Sequence, residues 1–167
     1  METLQETAIR RGARSGTRDK VVLGAILGSV VLPGHVASNA WRLGEEFFTA
    51  AEQHEFSGDS VETYAIPIWA KRDCDPWLPD VSDLGYRRSN IPHELVVTAG
   101  VDPHTDGGGF VLMVVLHNDG LVFSQGRVRH TPCAGNWFIF DDRKSHAVKE
   151  ASGRATFIGW HIPLVLA

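Results

Sequence analysis

From Glu94 to its end the chain alternates short apolar runs with turn-forming residues, a pattern that leaves little room for anything but sheet. Residues 94–101 read as one strand and residues 110–117 as another, so continuously apolar that both faces of the second must be buried. Asn118-Asp119-Gly120 tolerates the left-handed backbone and predicts a hairpin turn into residues 121–124. Gln125-Gly126 then turns the chain into residues 127–130, and residues 136–140 come next. A turn over 141–145 leads to a strand beginning at His146, and a last strand runs over 154–163. Together with residues 61–70, where Pro67 predicts an edge strand or a bulge, these make about eight short strands at hairpin spacing, the signature of a β-sandwich or barrel.

The first half of the chain reads differently. Residues 1–20 are polar, carry both charge signs and show no apolar period, which predicts a mobile tail or a loosely attached helix. Residues 21–32 are rich in β-branched side chains interrupted by Gly24 and Gly28, predicting two short strand pieces with a bend. Pro33-Gly34 is a turn, with Ser38 or Asn39 available to cap a helix beyond it. Between Val36 and Gln53, Ala40, Leu43, Phe47, Phe48 and Ala51 recur at helical spacing and predict an amphipathic helix lying across a sheet. Residues 73–92 form a long stretch broken by proline and glycine. Such a loop inside a compact domain is often functional, so it is a candidate substrate lid carrying Trp77, Tyr86 and Arg87; a surface excursion anchored by Trp77 is the alternative. Residues 21–167 suit a single domain.

Composition closes off several classes. A net charge of −4 argues against whole-surface attraction to nucleic acid and leaves open only a local basic groove. Cys74 and Cys133 are too few and too scattered for a disulfide framework or a zinc ribbon, which points to a reducing cytoplasm. The apolar run over 21–32 comes after several arginines as a signal peptide would, but acidic residues precede it and Pro33-Gly34 breaks it. It is also too short to span a bilayer, so no membrane association is expected.

The chemistry concentrates in His104-Thr105-Asp106. In extended chain, residues two apart project to the same face, so an H-x-D triplet sets an imidazole beside a carboxylate. His146 begins another strand and supplies a candidate third ligand. Two histidines and one carboxylate leave other coordination positions open, as in non-haem Fe(II) oxygenases, whereas a structural zinc site would close them, usually with cysteine. Further on, Ala151-Ser152-Gly153 reads as a hairpin loop joining the strand of His146 to that of Arg154. A symmetric hairpin would set Glu150 opposite Arg154 and Val148 opposite Thr156, putting Arg154 and Thr156 on the metal's face. Roughly 13 Å of strand would separate His146 from Arg154, a gap that a five-carbon diacid could bridge. A simple Arg154–Glu150 surface pair is the plainer reading of that arginine.

In motif order and spacing, the region from about Leu95 to Leu164 resembles the Fe(II)/2-oxoglutarate-dependent dioxygenases: His104-Thr105-Asp106, the apolar strand after it, Gly135 to Phe140, His146, then Arg154-Ala155-Thr156. The resemblance implies a mainly β double-stranded β-helix, or jelly roll, with a flanking helix and the metal at one mouth. It implies Fe(II), dioxygen and 2-oxoglutarate as cofactor and co-substrates, with the diacid's 2-oxo and C1-carboxylate groups on the iron and its C5 carboxylate on Arg154 and Thr156. The outcome would be hydroxylation of a small molecule or side chain, with succinate and CO2 released. Related halogenases lack the carboxylate ligand, so Asp106 favours oxygen transfer. The terminal strand departs from the R-x-N-x-T-x-R pattern of DNA-repair demethylases, and Arg154 stands where collagen-type prolyl hydroxylases have Lys. Two other classes fit less of the pattern: a non-catalytic jelly-roll protein that binds a small acid, and a cupin-type metal-dependent isomerase or hydrolase.

Overall fold

The computed structural model describes residues 22–54, 60–63, 81, 92, 94–149 and 153–162, with side chains outside 47–54 and 60–63. The elements in chain order are β1 (Ile26–Ser29), α1 (Gly34–His54), β2 (Ser60–Thr63), β3 (Glu94–His104), β4 (Phe110–Asn118), β5 (Val122–Gln125), β6 (Val128–His130), β7 (Asn136–Asp141), β8 (His146–Lys149) and β9 (Ala155–His161). All these strand pairs are antiparallel. One sheet runs β2-β3-β9-β4-β7-β1 and a smaller one runs β3-β8-β5-β6.

Strand β3 belongs to both sheets, and this sharing makes the fold a double-stranded β-helix. Its first half pairs with β9, Leu95 opposite Ile158 and Thr98 opposite Ala155. Its second half pairs with β8, Val101 opposite Val148 and His104 opposite His146. Between the halves Gly100 takes a φ of 149°, and its N–H donates to Thr98 Oγ1 (2.9 Å), so the strand bends where it changes sheet.

Two apolar layers result. Odd-numbered residues of β4 (Val111, Met113, Val115) face the smaller sheet and pack with Phe123, Phe138, Phe140, Val148, Ala155 and Phe157. Even-numbered ones (Leu112, Val114, Leu116) face α1 and pack with Val36, Ala40, Leu95, Ile139, Ile158 and Trp160. β4 is buried on both faces because it lies between these layers, as its unbroken apolar run predicts.

Several local expectations change. The run over 21–32 makes a turn at Gly24 (φ 87°) and then a single strand, β1, instead of two strand pieces. The helix begins at Gly34: Pro33's carbonyl accepts from the N–H groups of Val36 and Ala37 (3.0 and 3.1 Å), so Ser38 and Asn39 lie inside the first turns and cap nothing. Asn39 instead donates back to the His35 carbonyl (2.8 Å). Asn118-Asp119-Gly120 is a turn but not a hairpin, because β4 and β5 lie in different sheets. Its Asn118 side chain accepts from the N–H groups of Gly120 and Leu121 and donates to the carbonyls of Leu121 and Pro132. The tail over 1–20, residues 64–70 of the predicted edge strand, and Trp77, Tyr86 and Arg87 of the candidate lid lie outside the described residues. No helix among the described residues is long and apolar enough to cross a membrane.

Candidate metal centre

His104 ends β3 and His146 begins β8, and the two are register partners. Their rings lie 4.3 Å apart between centroids. Asp106, two residues past His104, swings its carboxylate between them: Oδ2 is 3.4 Å from Nε2 of each ring. One ligand atom from each of the three residues falls within 4.8 Å of the others. His146 is buried against Phe140 (4.9 Å between centroids, edge-on), His104 is half-buried and Asp106 exposed.

The hydrogen bonds on the far side of each ring decide what the near side can do. His104 Nδ1 bonds the carbonyl of Asp102 (2.8 Å) and His146 Nδ1 that of Lys144 (2.9 Å). A carbonyl only accepts, so both Nδ1 atoms carry the proton and both Nε2 lone pairs turn toward Asp106. That tautomer is the one a metal-ligating imidazole needs.

The loops carrying the ligands are fastened to each other through Asp142, whose carbonyl accepts from Asp106 N–H (2.7 Å). Its own N–H donates to the Gly109 carbonyl (2.9 Å), and its Oδ1 accepts from Gly109 N–H (2.6 Å). Gln125, the register partner of His146, donates to the carbonyls of Asp141 and Lys144 (2.7 and 3.3 Å), fixing the carbonyl that orients His146. Asp142→Ala keeps the backbone carbonyl that holds Asp106 and removes only the side-chain bond to Gly109, so it is expected to weaken metal binding by less than the ~10-fold that marks loss of a direct outer-sphere partner. Asn at this position, which keeps an acceptor for Gly109 N–H, should weaken it less; competition of Co(II) against a chelator measures both.

Next to the site, Arg143 clamps buried Asp141 with two bonds, Nε to Oδ1 at 2.7 Å and Nη2 to Oδ2 at 2.9 Å. Burial alone would push the Asp141 carboxyl up, but these hydrogen bonds and the positive charges of Arg143 and Lys144 hold it below its ordinary value. A carboxyl with a lowered folded pKa stabilises the fold at pH above its unfolded value of about 4 and loses that contribution as pH falls through the folded value. Asp141→Asn should flatten the fall in urea-unfolding stability below about pH 4.

The three candidate ligands stand at the edge of a cavity of about 420 Å³ lined also by Glu94, Thr98, Val101, Met113, Phe123, Phe138, Phe140, Asp142, Val148 and Phe157. The Glu94 carboxyl is pushed up to about 7, first by burial, then by the negative charges of Asp106 and Asp142, against an opposing pull from His104. It therefore exchanges a proton near neutrality beside the ligands.

Arg154 and Thr156 are not brought to this cavity. The predicted hairpin between their strand and that of His146 does not form, because β8 pairs with β3 and β5 while β9 pairs with β3 and β4. Strand β8 lies in the smaller sheet and β9 in the larger, and on β9 it is Ala155 and Phe157 that face the inter-sheet layer. Arg154 points the opposite way, toward α1: Nη1 bonds Glu45, Nε lies 3.9 Å from Asp119, and the guanidinium sits 5.3 Å from the centre of the Trp41 ring. Thr156 is fully buried, with no hydrogen-bond partner for Oγ1 among the described residues.

Sequence reasoning did not single out Asp142, Gln125 and Glu94. The acidic pair Asp141-Asp142 in the turn ahead of the distal histidine is a usable signal for the first; nothing local marks the other two, whose roles depend on register.

No family model and no curated protein matches the chain. Among solved structures it is similar to a prolyl-4-hydroxylase from Pseudomonas putida, at 17% identity over 81% of this chain and 91% of that one, with a TM-score of 0.48. It is similar to a prolyl hydroxylase from Trichoplax adhaerens, at 14% identity over 96% and 90% of the two chains, with a TM-score of 0.43. A predicted oxalate decarboxylase from Thermotoga maritima is similar over 44% of this chain and 68% of that one, at 18% identity and a TM-score of 0.35. These are likenesses of architecture.

Proposed function

We propose that this chain is an Fe(II)-dependent oxygenase that takes a 2-oxo acid as co-substrate and hydroxylates a small molecule or a side chain. The observation that carries this reading is the pair of Nε2 atoms and the Asp106 carboxylate converging from two segments, with both ring tautomers set by backbone carbonyls. The donor set fits the metal: two neutral imidazoles and one carboxylate are the ligands of a non-haem ferrous centre. Bound there, Fe(II) supplies a redox-active centre with open positions for dioxygen and an oxo acid.

The chain's own residues hold and shield that centre. Asp142 and Gln125 fix the ligand loops, and Phe123, Phe138, Phe140 and Phe157 give the cavity an apolar wall. Glu94 can hold or release a proton at its carboxyl oxygens near neutral pH.

2-Oxoglutarate is the co-substrate that the sequence resemblance implies, with Arg154 and Thr156 as the anchor for its far carboxylate. The fit here is poorer than for the metal. Among the described residues the cavity lining contains no Lys or Arg, and the two anchor residues face α1. Purified protein given Fe(II) under anaerobic conditions and then air, a panel of 2-oxo acids and candidate substrates should release CO2 and the shortened acid. Metal-independent turnover, or none with any acid in the panel, would contradict the proposal.

A further inference from the structure

The wall of the cavity bears on what an oxo acid carries at its far end. One step inward from the paired His104 and His146, the smaller sheet presents Val101, Val148 and Phe123 in register. The facing sheet adds Met113, Phe138 and Phe157, and the rings of Phe123 and Phe138 meet at 4.6 Å between centroids. In this wall Thr98 offers a neutral hydroxyl, whose oxygen already accepts from Gly100 N–H. Among the described residues, the acidic side chains lining the cavity besides Asp106 are Glu94 and Asp142, neither of which can serve as counter-ion to a second carboxylate on the ligand.

Arg154, the guanidinium that the sequence offers for such a carboxylate, is committed to the helix. Its contacts with Glu45, Asp119 and Trp41 join α1 and the turn after β4 to the start of β9. Its stem lies so close to α1 that a Cβ at Gly44 would come within 2.8 Å of Nε, so the helix carries glycine there. Arg154 immediately precedes β9, and a shift of β9 by one residue that put it on the cavity face would also turn Ile158 and Trp160 out of the helix-facing core.

We infer that the oxo acid taken by this centre has an uncharged apolar tail: a branched or aromatic 2-oxo monocarboxylate, not a 2-oxo dicarboxylate. This rests on the proposed function, since it presupposes a metal centre that chelates a 2-oxo acid. The 2-oxo and C1-carboxylate groups are the polar end of such a ligand and stay at the metal, while the tail lies among Phe123, Phe138, Val148 and Phe157 and needs no counter-ion.

Calorimetric titration of the anaerobic Fe(II)-loaded protein with 4-methyl-2-oxopentanoate, phenylpyruvate and 2-oxoglutarate tests it. A Kd for either monocarboxylate at least tenfold below that of 2-oxoglutarate is the expected result. A smaller margin, a reversed order, or no binding by any of the three to Fe(II)-loaded protein overturns the inference and leaves the metal centre standing. Failure of the chain to bind Fe(II) at all removes the proposed function and this inference with it. Arg154→Gln is expected to lower the melting temperature while leaving the ratio of Kd values within twofold. Selective loss of 2-oxoglutarate binding in that variant would identify Arg154 as the anchor and overturn the inference.

Discussion

Replacing His146 by alanine is expected to abolish ferrous-ion binding at micromolar metal and, with it, oxygen-dependent turnover. Loss of an outer-sphere partner typically costs about 10–100-fold in metal affinity, and loss of one of three protein ligands should exceed that range. The effect should be larger for His146 than for His104, because the buried ring is held by Lys144's carbonyl and packed against Phe140, so nothing mobile can replace it. Truncation also leaves a small void, so the melting temperature of the metal-free variant should be recorded beside its metal affinity. His35→Ala, which alters an exposed histidine far along the chain from the triplet, should leave metal binding unchanged. Equal loss in both variants would point to unfolding instead of ligand removal.

The largest effect on stability is expected at Trp160, the bulkiest of the fully buried side chains among the described residues. It lies on the helix-facing side of β9, in the layer that joins α1 through Val36 and Ala40 to Leu112 on β4 and Ile158 on β9. Trp160→Ala should cost about 3–5 kcal/mol in urea-unfolding stability, because the ring's transfer free energy is lost and the sheet cannot collapse into the space. For a domain of this size that lowers the melting temperature by on the order of 10 °C. Trp41→Ala, at a half-exposed ring against the Arg154 guanidinium, should cost only about 1 kcal/mol or less. Comparable losses at the two positions would mean that the helix-facing layer is not the main core.

A β-sandwich or barrel was readable from sequence because its strands are short, apolar and separated by residues that favour turns, while the jelly roll came from the resemblance; the helix was readable because its buried stripe keeps a helical period from Val36 through Ala40. The closeness of His104 and Asp106 was readable from their two-residue spacing, although β3 ends at His104 and Asp106 is held by the bond of its N–H to the Asp142 carbonyl, which the sequence does not mark. What could not be read is which strands pair. In this topology successive strands often sit in opposite sheets, and a turn such as Asn118-Asp119-Gly120 has the same composition whether it closes a hairpin or arches between sheets. The position of Arg154 against α1 has this origin: pairing β9 with β8 fixes one phase for its side chains, and pairing it with β3 and β4 fixes the other. The helix start was misplaced because Pro33 itself furnishes the first acceptor carbonyl, a role open to any residue at that position and therefore silent in sequence.

Anomalous diffraction from crystals of the full chain loaded anaerobically with Fe(II) reads the centre most directly. One iron peak is expected about 2 Å from each of His104 Nε2, His146 Nε2 and a carboxylate oxygen of Asp106, with the remaining coordination positions turned toward the Phe-lined cavity. An iron peak elsewhere, or a metal enclosed by additional protein ligands that leave no open position, would contradict the oxygenase reading.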